Sequence, residues 1–430
     1  MEKRDIVILG GGISGMAIRF FLSKLAPGRE VVVLEKEAKL GGIIGRGKKQ
    51  NITFGVGPKT FSASRSKHLS SLIDDLGLAD SKRFSSSCAR TRYIVKNNKL
   101  KALPQSLWGF MQDPTYRKWI KPLLSEWRKP ALLSDETVWD FALRRFGKEI
   151  AANLFDPMTL GIYGGDAKKL SVKACFPFFK EKEALWGSIS KYLLCEKKQK
   201  GKPKGLFTLK ESMMELIEKL ETSSSGEIIR SHRIEKIVKT RDGWQVMGGD
   251  KSFFAKDLVL ALPLDQTASL VGEIEPAVKS FKEQTPLLDI HFSTLCFSKN
   301  IFKNYPGFGA IFPTYENSPF LGVIFDKCLF PEQQGNLATV LTREKLTREE
   351  HVEKLNQLLG DVEKPLFFSH KEYKKALPQF LLGHGQRVKK LDEVIAEKHR
   401  GLTLIGNYLS GVSVEACIDR AYQSALILSK

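Results

Sequence analysis

The chain has 430 residues, 42% hydrophobic and 27% charged, long enough for two or three cores and ordinary in composition for a globular protein. It contains no run of about 18 apolar residues, which excludes a spanning helix on hydropathy. A formal net charge of +20 sets up a positive field that attracts anions, whether nucleic acid, acidic lipid or a carboxylated small molecule, without choosing among them.

An apolar strand beginning at Ile6 leaves no room for a secretory leader, so the expected location is the cytoplasm. Residues 5–9 form that strand, followed by Gly10, Gly11, Gly12, Ile13, Ser14 and Gly15 and then a helix from Met16 to about Leu25. A second strand, Val31 to Leu34, ends on Glu35, 20 residues after Gly15. Strand, G-x-G-x-x-G turn, helix, strand and acid in this order are the fingerprint of a dinucleotide site. The first glycine turns the chain, the second lets backbone N–H groups approach a pyrophosphate, and the third lets helix and strand pack closely. Glu35 would accept hydrogen bonds from ribose hydroxyls. The continuation through Lys36 to Gly41-Gly42 and Ile43 is similar to an extension shared by amine-oxidase-like flavoproteins, which implies FAD rather than NAD. Gly55-Val56-Gly57-Pro58 would bring small residues close to the flavin ring.

Further along, Tyr116, Trp119, Ile120, Leu123, Leu124 and Trp127 recur at helical spacing, with Arg117, Lys118, Lys121 and Arg128 between them. Pro122 predicts two short helices, the second opened by the proline. The pattern reads either as core with snorkelling cations or as a face lying on an anionic membrane. Ser134-Asp-Glu-Thr137 predicts a capped helix ending near Gly147. The run Glu196–Lys204 reads as a solvated basic linker, and no motif supports nucleic-acid binding. A helix is expected over Leu209 to Leu220, a strand over Ile228 to Val238 and a buried parallel strand over Asp257 to Pro263. Strands follow at Ile290 to Phe297, Phe308 to Phe312, Phe320 to Phe325 and Leu402 to Gly406, and then a loop into a helix over Gly411 to Arg420. Cys88, Cys175, Cys195, Cys296, Cys328 and Cys417 form no C-x-x-C pair, which argues against a zinc, iron–sulfur or disulfide framework. They are expected as small buried hydrophobes, and no metal site is expected.

Five segments share a likeness. They are Gly57-Pro58-Lys59-Thr60-Phe61; Gly161 to Asp166 with Lys169-Leu170-Ser171; Gly322 to Asp326 with Phe330 to Gln333; Ala376 to Phe380 with Gly383-His384; and Gly406-Asn407-Tyr408 with Gly411 to Val414 and Cys417-Ile418. In this order, from Ile6 to about Leu426, the chain resembles the oxygen-dependent protoporphyrinogen oxidases and the related coproporphyrinogen oxidases. The resemblance implies an α/β fold. An FAD-binding, Rossmann-like domain in three parts, 1–84, 206–275 and 381–430, would be interleaved with a mostly helical domain for substrate and membrane contact, 85–205, and a mixed-sheet substrate domain, 276–380.

By the same resemblance, Gly10 to Gly15, Glu35, Lys36, Gly42, Ile43, Gly57, Pro58, Lys59 and Thr60 would contact FAD. Ile234 would close over the adenine, and Asn407, Val412, Ser413 and Val414 would set amides against the flavin pyrimidine. Arg92 would hold a substrate propionate, as a guanidinium fits a carboxylate in bidentate fashion, although an arginine beside a tyrosine on a strand is otherwise a surface residue. Gly161 would face flavin and tetrapyrrole with its backbone, and Leu321, Val323 and Phe325 would line an apolar slot. His384 reads as structural first. Two departures stand out: a single glycine, Gly205, where the family often has a pair, and serine at Ser413 in the family's Gly-Val-Gly-Val or Gly-Val-Ala-Val segment.

The implied activity is six-electron oxidation of protoporphyrinogen IX, or alternatively coproporphyrinogen III, in three two-electron rounds, with FAD as the immediate acceptor and dioxygen as the final one. The partners would be a porphyrinogen, dioxygen and an anionic surface at the inner face of the cell membrane; the oligomeric state is left open. An amine oxidase or carotenoid desaturase of the same fold, or a prenyl-protein carrier that keeps the fold without using flavin, are the rival readings.

Overall fold

A computed structural model describes residues 1–62, 66–195 and 205–430; the expected linker Glu196–Lys204 lies outside the described residues. These residues fall in two compact units, one drawn from Met1–Phe84, Pro203–Pro286 and Gln386–Lys430, the other from Ser85–Lys202 and Leu287–Gly385. Most of the stretch expected as a helical domain and, from Leu287 on, the stretch expected as a sheet domain thus fall together in the second unit, whereas 276–286 falls in the first.

The first unit is built on strand Glu2–Leu9, in which Ile6 to Leu9 are shut off from solvent. Parallel neighbours lie on both sides: Ile6 stands opposite Val31 and Asp257, and Leu9 opposite Leu34 and Leu260. Burial on both faces explains why Ile6–Leu9 and Val31–Leu34 are unbroken apolar runs rather than alternating ones. The sheet extends through Glu227–Ile229 on one side. On the other, the second half of Lys251–Leu260 runs parallel to Leu402–Leu404, and its first half pairs antiparallel with Trp244–Gly248, which in turn pairs with Lys236–Lys239.

Helix Ile13–Leu25 packs on helix Val414–Leu428, with Ile18, Phe20, Ile418 and Ala421 in one apolar core. Arg19 is buried on the first of these helices. Its guanidinium donates to the carbonyls of Leu220, Glu221, Ser224 and Gly226, which satisfies oxygens left open where helix Met214–Thr222 ends.

Two expected elements differ. In place of a helix over Leu209 to Leu220, strand Leu206–Leu209 precedes helix Met214–Thr222. The strand expected over Ile228 to Val238 is two strands, Glu227–Ile229 and Lys236–Lys239. Between them Ser231 has φ +54, and the N–H groups of Ser231 and His232 donate to the carbonyls of Glu37 and Glu35. The chain leaves the sheet there because it is tied over the end of Val31–Leu34.

The second unit has a seven-stranded sheet in the order Phe367–Pro378, Leu287–Phe297, Asn336–Thr342, Phe320–Ile324, Gly309–Ile311, Tyr93–Lys96, Lys99–Ala102. Every pairing is antiparallel except that of Gly309–Ile311 with Tyr93–Lys96. Its helices include Val138–Phe146, which Thr137 caps by accepting from the Asp140 N–H at 3.0 Å and which Gly147 ends at φ +83, as the local sequence predicts. The aromatic stretch becomes Pro114–Arg117, Ile120–Ser125 and a 3-10 turn, Glu126–Arg128. Pro122 sits within the first turn of the middle piece, where it has no intrahelical donor to lose. Tyr116 and Trp119 are core, whereas Leu124 and Trp127 are exposed.

Candidate functional site

In the first unit, strand Glu2–Leu9 delivers Gly10 to its carboxyl end at φ +103, with the Gly10 N–H on the Leu34 carbonyl. Gly10 and Gly15 are glycines because of the protein itself. A Cβ on Gly10 would lie 2.5 Å from the Ala261 oxygen, and one on Gly15 would lie 1.9 Å from the Gly10 oxygen. Gly12 is different: a Cβ there would meet only the Gly42 Cα, at 3.9 Å, and one on Gly42 only the Gly12 Cα, at 3.4 Å. Two facing glycines therefore leave a slot lined by backbone. At its side helix Ile13–Leu25 begins, with Gly12 as N-cap, no side-chain cap and no acid in the first turn. Uncapped N–H groups at a helix start attract an anion.

Glu35 completes this corner. Its buried carboxylate accepts from the Gly11 N–H at 2.6 Å and the Glu37 N–H at 2.9 Å, so both oxygens are oriented and keep lone pairs for a ligand hydroxyl. Lys36 is exposed and 3.7 Å from the Glu37 carboxylate. The backbone tie that carries His232 to Glu35 brings Ile234, half-buried, to the same end of the sheet. A slot that bulky side chains would fill, an open helix start and an oriented acid fit the diphosphate and ribose of FAD.

Hairpin Gly45–Lys49 with Ile52–Val56 joins the next two groups at its base. Gly57, at φ +87, approaches the Ile43 carbonyl so closely that a Cβ would lie 2.2 Å from that oxygen. Pro58 and Thr60 are half-buried, and the Lys59 ammonium donates to the Gly55 carbonyl at 2.7 Å. Strand Phe61–Ser62 is then fixed to the C-terminal helix, since the Ser62 N–H donates to Glu415 at 2.7 Å. Asn407 opens a short helix after Gly406, and Val412 leads to Ser413, the N-cap of Val414–Leu428. The Ser413 hydroxyl accepts from the Ala416 N–H at 3.2 Å, so the serine at this position serves as a helix cap. On the same helix burial pushes the Cys417 thiol up to about 11, and Ser14 hydrogen-bonds to it.

In the second unit Gly161 lies on helix Asp156–Tyr163 and Leu321 on strand Phe320–Ile324. A Cβ on Gly161 would meet the Ile311 side chain at 2.9 Å and the Leu321 carbonyl at 3.6 Å, so these expected substrate-facing residues do come together. Val323 and Phe325 do not join them: they pack in a separate core with Phe302, Val340 and Leu355. The cause is a register shift between Phe320 and Gly322, which breaks strict alternation at Leu321. Arg92 is exposed and immediately precedes strand Tyr93–Lys96, whose Ile94 is paired with Ile311. Its guanidinium stacks on the Phe308 ring at 4.9 Å.

Sequence reasoning missed the residues that tie the motifs together. Gln379 donates to the Tyr163 carbonyl at 2.8 Å, and Gly165 is glycine because a Cβ would lie 2.1 Å from the Gln379 oxygen. Asp135 accepts from the Ser171 hydroxyl at 2.8 Å and the Gly383 N–H at 3.0 Å. Arg343 donates to the carbonyl of Gly164, the left-handed residue that ends the Gly161 helix, at 2.8 Å. His384 is buried and stacks on Phe380 at 4.2 Å. Among the described residues no group of three or more potential ligands could hold a metal.

The family described as flavin containing amine oxidoreductase matches residues 22–428. Human protoporphyrinogen oxidase is 28% identical, over 98% of each chain. Coproporphyrinogen III oxidase of Staphylococcus aureus is 26% identical, also over 98% of each. Among solved structures, a protein from Exiguobacterium sp. 255-15 superposes with a TM-score of 0.85 at 19% identity, over 100% of this chain and 98% of its own. A putrescine oxidase mutant does so with a TM-score of 0.73 at 15% identity, over 99% of each.

Proposed function

Because the chain belongs to the flavin-containing amine oxidoreductase family, we propose that it is the FAD-dependent oxidase that converts protoporphyrinogen IX to protoporphyrin IX in haem biosynthesis, with dioxygen as final acceptor. The match to human protoporphyrinogen oxidase over 98% of both chains carries the substrate class. Coproporphyrinogen III is the second reading, favoured by the equally complete match to the Staphylococcus aureus enzyme. The net charge of +20 also suits the substrate with more carboxylates.

Bound FAD supplies the two-electron acceptor for each oxidation of the macrocycle. The chain's own residues bind and orient. The Gly12–Gly42 slot and the start of helix Ile13–Leu25 hold the pyrophosphate, Glu35 takes the ribose hydroxyls, and Ile234 covers the adenine. The segments Ile43, Gly57–Thr60, Asn407 and Val412–Val414 bear on the rest of the cofactor, mainly through backbone. In the second unit Gly161 and Leu321 offer an apolar surface to the flat ring, and Arg92 engages a propionate.

The second unit also meets an anionic membrane. No helix among the described residues is long and apolar enough to cross one. Support for contact comes from helix Ile189–Cys195 and the two elements packed against it, the turn Glu126–Arg128 and helix Pro177–Trp186. They expose Trp127, Leu185, Leu193 and Leu194, with Arg128 over the Trp127 ring and Lys182 over Tyr192. Exposed apolar groups beside cations suit a headgroup region.

Parallel assays in air with the two porphyrinogens test the proposal by the rise of porphyrin fluorescence. A yellow protein that oxidises one of them many times faster than the uncatalysed rate supports it and identifies the substrate. A yellow protein inert to both returns the chain to the amine-oxidase-like rivals.

A further inference from the structure

Cys88 and Cys328 are 240 residues apart in sequence, and the fold of the second unit sets them side by side. Cys88 stands in the turn Ser87–Arg90 and Cys328 in the short helix Asp326–Leu329, and the Cα traces of these two elements come within 8 Å of each other. Their backbones run together at this point: the Ser86 N–H donates to the Leu329 carbonyl at 2.9 Å, and the Ser86 hydroxyl to the Cys328 carbonyl at 2.5 Å. The Cys88 Sγ is 3.2 Å from that same Cys328 oxygen and 2.9 Å from the Ser86 hydroxyl. The Cys328 Sγ makes long contacts, 3.7 Å from the Asn300 amide and 3.9 Å from the Phe302 carbonyl, and also meets the Gly307 backbone. A disulfide needs neighbouring backbones, with Cα atoms about 4.4–6.8 Å apart, and rotamers that aim the two sulfurs at each other. The strapped segments already set the Cys88 Sγ against the Cys328 carbonyl, and a change of side-chain rotamer is what turns one sulfur toward the other.

We propose that Cys88 and Cys328 are a modification site, a dithiol that a peroxide oxidises to a reversible disulfide. Cys88 is half-exposed and Cys328 is buried, so the oxidant meets Cys88 first. Burial also pushes the Cys328 thiol up, which disfavours it as the first nucleophile. The Cys88 thiolate attacks one peroxide oxygen, the O–O bond breaks, and a sulfenic acid and one water form. The Cys328 thiol then attacks that sulfur, the S–S bond forms, and the sulfenic oxygen leaves as a second water. Two thiols have lost two electrons and one hydrogen peroxide has gained them, so atoms and electrons balance.

The position gives the bond a consequence. The Cys88 carbonyl accepts from the Thr91 N–H at 2.9 Å, the Thr91 carbonyl accepts from the Phe308 N–H at 2.8 Å, and Phe308 carries the Arg92 guanidinium. A bridge at Cys88 restrains the turn from which Arg92 projects. Two-electron reduction of dioxygen yields hydrogen peroxide, so the oxidase itself is a source of the oxidant; that source rests on the porphyrinogen-oxidase reading, whereas the bond does not.

The test treats the full-length holoprotein with stoichiometric hydrogen peroxide, alkylates the remaining thiols, and maps peptides without reduction. The expected result is one cross-linked pair joining Cys88 to Cys328, absent in Cys88→Ser and lost on treatment with a thiol reductant. Full alkylation of both cysteines after peroxide, or over-oxidation of Cys88 with Cys328 still alkylated, overturns the proposal. A second arm replaces added peroxide with porphyrinogen turnover in air. A bridge formed by added peroxide but not while porphyrin accumulates supports the site and counts only against the oxidase as its source of peroxide; no porphyrin formed counts against the porphyrinogen reading and leaves the site to the first arm.

Discussion

Gly12 and Gly15 lie three residues apart and are glycines for different reasons. Gly15 is demanded by the fold, because its Cβ would strike the Gly10 carbonyl; Gly12 faces only the opposite glycine. Gly15→Val is therefore expected to cost more than about 3 kcal/mol and to yield little folded protein. Gly12→Val should fold with apoprotein stability within about 1 kcal/mol of the parent, yet purify colourless. Thermal melts with absorption spectra check both, and a yellow Gly12→Val protein would remove the pyrophosphate from this slot. Arg92 leans on Phe308 with its guanidinium exposed, as suits a group that meets a ligand carboxylate. A hydrogen bond to a charged partner contributes about 1.5–3 kcal/mol, so Arg92→Ala should raise KM roughly tenfold to a hundredfold at unchanged flavin content. Unchanged kinetics would return Arg92 to the role of a surface residue.

At the scale of elements, legibility followed the range of the forces. Val138–Phe146 could be read from Thr137 and Gly147 because capping acts within one turn. The break between Glu227–Ile229 and Lys236–Lys239 could not, because it is imposed by the carbonyls of Glu35 and Glu37, nearly two hundred residues away in sequence. The irregular register at Leu321 was likewise invisible, since a strand pattern of period two carries no sign of a bulge. One element carries a pH dependence. His351, on helix Arg348–Leu359, is buried between Phe320 and Phe368, its Nδ1 is 2.6 Å from the Thr347 carbonyl, and its Nε2 has no hydrogen-bond partner among the described residues. Burial holds its pKa below the usual histidine value, and nearby His370 is lowered by burial, by His291 and by Lys345. Between the folded value and about 6.5 the unfolded chain binds more protons than the folded one. Stability is therefore expected to be full above that window and to fall as pH drops through it. His351→Phe should flatten this acid limb in denaturant titrations at a series of pH values; an unchanged slope would put the dependence elsewhere.

For the whole molecule, the fingerprint and the strands around it were legible because a buried parallel sheet writes continuous apolar runs into the sequence. The α/β fold could be read for the same reason, whereas the flavin-containing family was legible through the resemblance carried by the glycine fingerprint, its Gly41-Gly42 extension and five further segments. What could not be read is how distant motifs cooperate: Gln379 on Tyr163, Asp135 on Ser171 and Gly383, and Glu415 on Ser62 are side-chain ties between segments far apart in the chain. The aromatic and basic stretch also divides in a way spacing does not reveal, with Tyr116 and Trp119 in the core and Leu124 and Trp127 outside. A net charge of +20 with these exposed groups predicts that the protein floats with anionic vesicles at low salt, and that Trp127→Ser with Leu194→Ser weakens this more than removal of one lysine. Protein that remains at the bottom of the gradient at low salt would count against membrane contact.

Mixing the yellow protein with protoporphyrinogen or coproporphyrinogen in the absence of air shows whether this chain carries out flavin-dependent oxidation of a porphyrinogen. The flavin absorption band is expected to bleach in step with oxidation of the macrocycle and to return when air is admitted. A flavin band that stays unbleached with both porphyrinogens would contradict that activity.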